Sequence, residues 1–357
     1  MTTPSGPVAG MPRALVILLG AAAAVITIGG IKTVAWLVTP VLLALIIVIV
    51  ISPAHRWLRR VGLPGWLATL ILVVLVYGTL VVFAVVMFVS VAQLAATLPR
   101  YAERMDGIVA DVTTVLTRFG VAPTEVRDAV SGLDLGKVLP YVGSIVRDLT
   151  GLTTSLVFLL ALLLFLSIEA TGVDVRLAEI AKGRPQAASA LRAFATRTRR
   201  YLVVTTGFGL VIAVLDSITL ALLGIPLAVL WGLLSFVTNY VPNIGFLIGV
   251  IPPAVLGLLV GGWRLALAVI LIYWVVNFVA QSLVQPKYVG DSVGLSSLMS
   301  FVALVFWAWV LGPLGALLAI PATLLVMAVL VDIDPRADWA AALLRAPTRD
   351  RTKGKTL

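Results

Sequence analysis

The sequence predicts an all-α integral membrane protein, a polytopic helical bundle of about eight membrane segments, two of them broken or hairpin-forming and arranged as an inverted repeat. Three observations predict it. Of 357 residues, 61% are hydrophobic and 12% charged, against roughly 45–50% and about 25% in soluble domains; mean hydropathy is +1.12. The Lys and Arg residues lie beside long apolar runs rather than in one patch. Two of the apolar blocks exceed a single crossing and are interrupted near their middles by Asn, Pro and Gly.

In chain order, apolar runs without charge occupy residues 14–31, 33–51, 66–94 and 152–168. Each is long enough to cross ~30 Å of hydrocarbon as a helix. The first, behind Arg13, has some features of a secretory signal, but its charged region is weak and a second span follows Lys32, so it is read as a retained span. A fifth run at 201–223 contains Asp216, and another spans 264–283. The long blocks are 226–260 and 296–331. The chain thus divides into a three-span region (1–94), an outer amphipathic segment (95–151), a fourth span with a basic segment (152–200), a core with the two broken blocks (201–331) and a tail (332–357).

Orientation follows from loop charge. The loop SPAHRWLRRVGLP, residues 52–64, carries Arg56, Arg59 and Arg60 and no acid. Residues 169–200, two spans later, carry seven basic side chains against three acids, the tail is net basic, and 95–151 is nearly balanced. Both termini are therefore expected in the cytoplasm and 95–151 outside, with Trp57, Trp66, Tyr201 and Trp263 as interfacial anchors. The net charge of +10 then reports topology rather than nucleic-acid binding, with membrane lipids a secondary contact of the Arg cluster. In the outer segment Ile108, Val109, Val112, Val115, Leu116 and Phe119 recur at helical spacing, as in helices lying on the membrane or on neighbours.

Each long block is either one strongly tilted helix or two limbs of a hairpin. The first breaks at Asn239, Pro242, Asn243 and Gly245, the second at Gly312, Pro313 and Gly315. Proline removes a helical hydrogen bond and glycine permits reversal, so the hairpin is preferred. Span plus hairpin then recurs with opposite parity, the pattern of many secondary transporters. Backbone freed at membrane depth must be buried in protein or face water, which places the breaks in the interior. The amides of Asn239 and Asn243 have donors and acceptors for either freed backbone or a polar solute.

Asp216 is the only acid deep within an apolar run. Burying it at a helix centre costs roughly 2.5–3.5 kcal/mol, so it must face a cavity or a partner, in a coupling role or a structural one. Asn277, Gln281 and Gln285 recur every four residues and form one helix stripe, suited to a polar lining or to interhelical hydrogen bonding. Gly245, Gly249, Gly257 and Gly261 make two small-residue spacings that favour close helix packing over a hinge, and Pro252, Pro253 and Pro321 are candidate kinks.

Enzymatic readings fail on residue types. There is no cysteine and a single histidine, His55, so no metal cluster or cysteine nucleophile is available. The GKT at 354–356 has Arg349 where a phosphate loop requires its first glycine. No cofactor is expected.

The segment GIPLAVLWGLLSFVTNYVPNIG at 224–245, then QPKYVG at 285–290 and GPLGALLAIP at 312–321, with the early SPAHRWLRRVGLP, resembles the autoinducer-2 exporter family of bacterial membrane proteins. The likeness runs from about residue 12 to 335. Phe246 stands where that family commonly has proline, and the basic loop opens Ser-Pro rather than Asn-Pro. The resemblance implies a homo-oligomeric transporter in the bacterial plasma membrane, exporting a small polar solute such as autoinducer-2, or exchanging sodium for protons. The principal expectation is ion-coupled alternating access. The alternatives are sodium/proton antiport and a non-transporting membrane scaffold.

Overall fold

The computed structural model describes residues 12–101, 104, 107, 110, 113, 114, 117, 118, 156–241, 244–280 and 295–334. Long apolar sequences with few interior breakers fold as helices here because, in hydrocarbon, a helix satisfies every interior backbone group within one segment. The first three are α1 (Arg13–Thr33), α2 (Ala35–Arg60) and α3 (Gly65–Thr97), ending in a short 3₁₀ turn, Leu98–Tyr101. Next come α4 (Leu156–Ala170) and α5 (Val173–Gly183), bent by 57° from one another, and α6 (Pro185–Leu222). At 38 residues, α6 is about 57 Å long, so its Arg-rich first half projects beyond the hydrocarbon. Trp57, Trp66 and Trp263 are exposed, as membrane anchors require. Tyr201 departs from that expectation: it is half-buried and its hydroxyl donates to the Tyr240 carbonyl at 3.4 Å, because the tip of the first long block packs against it.

That first block folds as two limbs. Helix α7 (Ala228–Thr238) has 11 residues, about 16 Å, and stops well short of a ~30 Å crossing. The chain turns after Asn239 and returns in α8 (Gly245–Phe278), which is itself broken at Gly262, φ +74° and ψ −168°. A methyl group at Gly257 would lie 3.5 Å from the Ala266 backbone, whereas nine residues of straight helix advance about 13.5 Å. The axis therefore reverses at Gly262, and 245–261 and 263–278 are separate limbs rather than one span, matching the sequence boundary between the block and the run starting at Arg264.

The second block is likewise a hairpin. Its limbs are α9 (Ser297–Leu311) and α11 (Ala319–Leu330), joined by Gly312 (φ +74°) and the short α10 (Pro313–Leu317). The Trp307 Nε1–H donates to Thr323 Oγ1 at 3.0 Å across the limbs. Gly315 lies against the Trp307 carbonyl so closely that a Cβ would overlap it.

The hairpins enter from opposite ends. The base of the first packs with Leu94, Ala95 and Tyr101 at the end of α3, and Arg104 donates to the Leu259 and Val260 carbonyls at 3.0 and 3.3 Å, closing the C-terminal end of limb 245–261. The base of the second sits at the opposite end, where Asp332 pairs with Arg197 at 3.4 Å. The tips share one apolar cluster with mid-helix residues Leu42 and Ile46 of α2: Tyr240, Val241 and Ile244 from the first, Leu311 and Leu318 from the second. The predicted doubling of span plus hairpin is thus present as two opposed hairpins meeting inside the bundle. The outer-segment residues Ile108, Val109, Val112, Val115, Leu116 and Phe119 lie outside the described residues.

Candidate functional site

Helix α6 packs against α7 closely enough that a Cβ on Gly232 would overlap the Ser217 side chain and come 2.6 Å from the Ala213 carbonyl. This approach fixes what surrounds Asp216, the residue between them on α6. The carboxyl is fully buried, at 0% exposure. Beside it lie the hydroxyls of Ser235 on α7 and Tyr273 on limb 263–278, exposed by 6% and 1%. Gly249 faces Ser235 from limb 245–261, with its would-be Cβ 3.6 Å from the Ser235 Oγ. Both Asp216 oxygens, the Ser235 Oγ and the Tyr273 hydroxyl have no hydrogen-bond partner of good geometry among the described residues.

Four buried oxygens from three helices, one pair able to carry negative charge, form a hard-ligand set of the kind that suits a proton or an alkali cation. An ionised carboxylate at this depth is costly, a cost that a proton, a cation or hydrogen bonds from the two neighbouring hydroxyls would offset. Among the described residues the groups acting on Asp216 are the Ser235 and Tyr273 hydroxyls, with no Lys, Arg or His.

Asn239, at the tip, is tied to α6, where its Nδ2 donates to the Thr205 carbonyl at 3.0 Å. The Tyr240 hydroxyl is 2.7 Å from Thr206 Oγ1. Gly209 makes the first bond feasible: a Cβ there would come 2.9 Å from the Asn239 Nδ2 and 3.4 Å from the Phe236 ring. Gly209→Ala is expected to displace the amide and cost about 1 kcal/mol of thermal stability. Asn239→Ala should have a similar effect, and the double variant should cost no more than either alone, since both break one contact. Additive losses in thermal unfolding of the three proteins would contradict the assignment.

Asn277 donates to its own helix at the Tyr273 carbonyl, 2.9 Å away, one turn from the cluster. Pro242, Asn243, Gln281 and Gln285 lie outside the described residues. Gly245 and Gly249 face Thr238 and Ser235 of α7, while Gly257 and Gly261 face Val269 and Leu265 of the next limb, so all four sit at close helix contacts. Ser235 and Tyr273 are the additions that reading the sequence did not single out. Each carries a signal in hindsight: Ser235 stands one turn before Asn239, and Tyr273 extends the stripe of Asn277, Gln281 and Gln285 backwards by one turn.

A family profile described as AI-2E family transporter matches residues 15–333. A putative transport protein of Haemophilus influenzae is 29% identical over 333 residues, covering 91% of this chain and 95% of that protein. The AI-2 transport protein TqsA of Escherichia coli is 29% identical over 312 residues, covering 87% and 90%. The putative transport protein YhhT of Escherichia coli is 29% identical over 324 residues, covering 90% and 91%. The profile match spans both hairpins and the helix that carries Asp216, and the names of the relatives are those of transport proteins rather than enzymes. The chain therefore belongs to the AI-2E transporter family, as a multi-pass bacterial membrane transporter.

Proposed function

We propose that the protein is a secondary-active exporter that moves a small polar solute by ion-coupled alternating access, with Asp216 as the carboxylate that takes and releases the coupling proton or sodium ion. One observation supports this most: four buried oxygens with no well-formed hydrogen bond among the described residues gather where α6 meets the first of two opposed hairpins. Opposed hairpins provide two structural gates, one reaching each face, around a common interior. The solute would pass the hairpin tips and the stripe begun by Asn277. An autoinducer-2-like solute is supported by the name of one relative. In this reading both termini face the cytoplasm, and the protein works as a homo-oligomer in contact with membrane lipids.

The test is reconstitution into liposomes with a panel of small polar solutes and imposed proton or sodium gradients. Flux that follows the gradient supports the proposal, and leakage indifferent to it contradicts it. A second reading, sodium/proton antiport, is favoured by the all-oxygen character of the Asp216, Ser235 and Tyr273 cluster, which lacks any nitrogen donor to select an anionic or carbonyl solute. Exchange of sodium for protons without any added solute would select that reading.

A further inference from the structure

A second polar feature lies near the Arg-rich end of the bundle, on the far side of the hairpin tips from the C-terminal end of α3. There α2, α3, α4 and the start of α5 line a partly open cavity of about 270 Å³. Its membrane-ward wall is apolar, formed by Val48, Ile51 and Leu72. Its outer wall is polar and basic, with His55, Arg56 and Arg59 from the last turns of α2. The His55 ring is 3.1 Å from Thr69 Oγ1, which holds it against α3. Behind the wall, Arg199 donates to the Ser52 Oγ at 3.0 Å. Among the described residues one acid reaches the cavity, Asp174, which is 80% exposed and 3.6 Å from Arg56. Nearby Glu169 is already paired with Arg176.

An independent feature points to a ligand. Ser167 lines the cavity from α4, is 8% exposed, and its Oγ has no hydrogen-bond partner among the described residues. The hydroxyl is buried within the cavity wall and holds an unused donor. Two guanidiniums and a hydroxyl above an apolar floor match a phosphate ester carrying a hydrocarbon tail. At about 270 Å³ the space accommodates a headgroup, with acyl chains leaving along the apolar wall into the membrane.

We propose that this cavity binds a phosphoryl group, and that the amphipathic lining selects the headgroup of an anionic phospholipid over free phosphate. The test uses the full-length protein in detergent, titrated with short-chain phosphatidylglycerol, short-chain phosphatidylcholine or inorganic phosphate. Phosphatidylglycerol is expected to bind tightest. Replacing Arg56 and Arg59 together by Gln should weaken it roughly thirtyfold, from the loss of two cations beside an anionic headgroup. Ser167→Ala should weaken it roughly threefold while leaving thermal stability intact, and Arg60→Gln, outside the lining, should weaken it far less than the double variant. Equal affinity for phosphatidylcholine, or an Arg60→Gln loss as large as that of the double variant, would overturn the site. Inorganic phosphate binding as tightly as the lipid would overturn the lipid assignment.

Discussion

Asp216→Asn in proteoliposomes is expected to reduce gradient-driven flux by about a hundredfold while leaving the protein folded. The side chains are nearly isosteric, so packing between α6 and α7 is kept. What is lost is the carboxylate that pairs with the coupling ion, and removing one member of a buried charged pair costs about 2–5 kcal/mol, where 2.7 kcal/mol is roughly a hundredfold. Stability should move the other way. In the ion-free protein an ionised carboxyl at 0% exposure costs roughly 2.5–3.5 kcal/mol on insertion scales, and the neutral amide avoids that cost, so the thermal midpoint measured without the coupling ion should hold or rise. Ser235→Ala and Tyr273→Phe remove hydroxyls and keep the charge; they should slow flux less than Asp216→Asn. A variant that lost both flux and stability would indicate a structural carboxylate instead.

Gly245→Ala is expected to be among the most damaging single-methyl additions to the first hairpin, costing about 3 kcal/mol. The new Cβ would overlap the Thr238 carbonyl, backbone against backbone, so no rotamer change relieves the clash. The limbs would have to part at the tip, and the separation would propagate to Ser235, one turn before Thr238 in α7, and to the Gly249 contact. Both the thermal midpoint in detergent and gradient-driven flux should fall. Gly249→Ala is a graded control, since its Cβ would lie 3.1 Å from the movable Thr238 Oγ1. Equal stability of Gly245→Ala and the wild type would contradict the hairpin.

Much of this architecture is legible in sequence because hydrocarbon imposes a single backbone solution on long apolar runs. Block length and the breaks at Asn239 to Gly245 and Gly312 to Gly315 sufficed for the hairpins, and the boundary before Arg264 coincides with the reversal at Gly262. Asp216 was legible for the same reason: one acid in a long apolar run has no ordinary surface to occupy. Its companions were not. Ser235 and Tyr273 are unremarkable within their helices, and they converge on Asp216 only through the approach of α7 at Gly232 and the turn at Gly262, both tertiary events. Tyr201 shows the converse. An aromatic at the start of an apolar run reads as a membrane anchor, yet the Tyr240 carbonyl of an opposed hairpin tip draws its hydroxyl inward. Asn239 likewise carries chemistry suited to a solute or to the backbone, and only the absence of a side chain at Gly209 brings it onto the Thr205 carbonyl.

The central claim is that the coupling ion resides on the Asp216 carboxylate, and ion binding to the purified protein tests it most directly. Sodium titrated calorimetrically into the wild type at fixed pH, with released protons followed by a dye, should give saturable binding or exchange that disappears in Asp216→Asn and persists, weakened, in Ser235→Ala. Undiminished saturable binding and proton release in Asp216→Asn would contradict it.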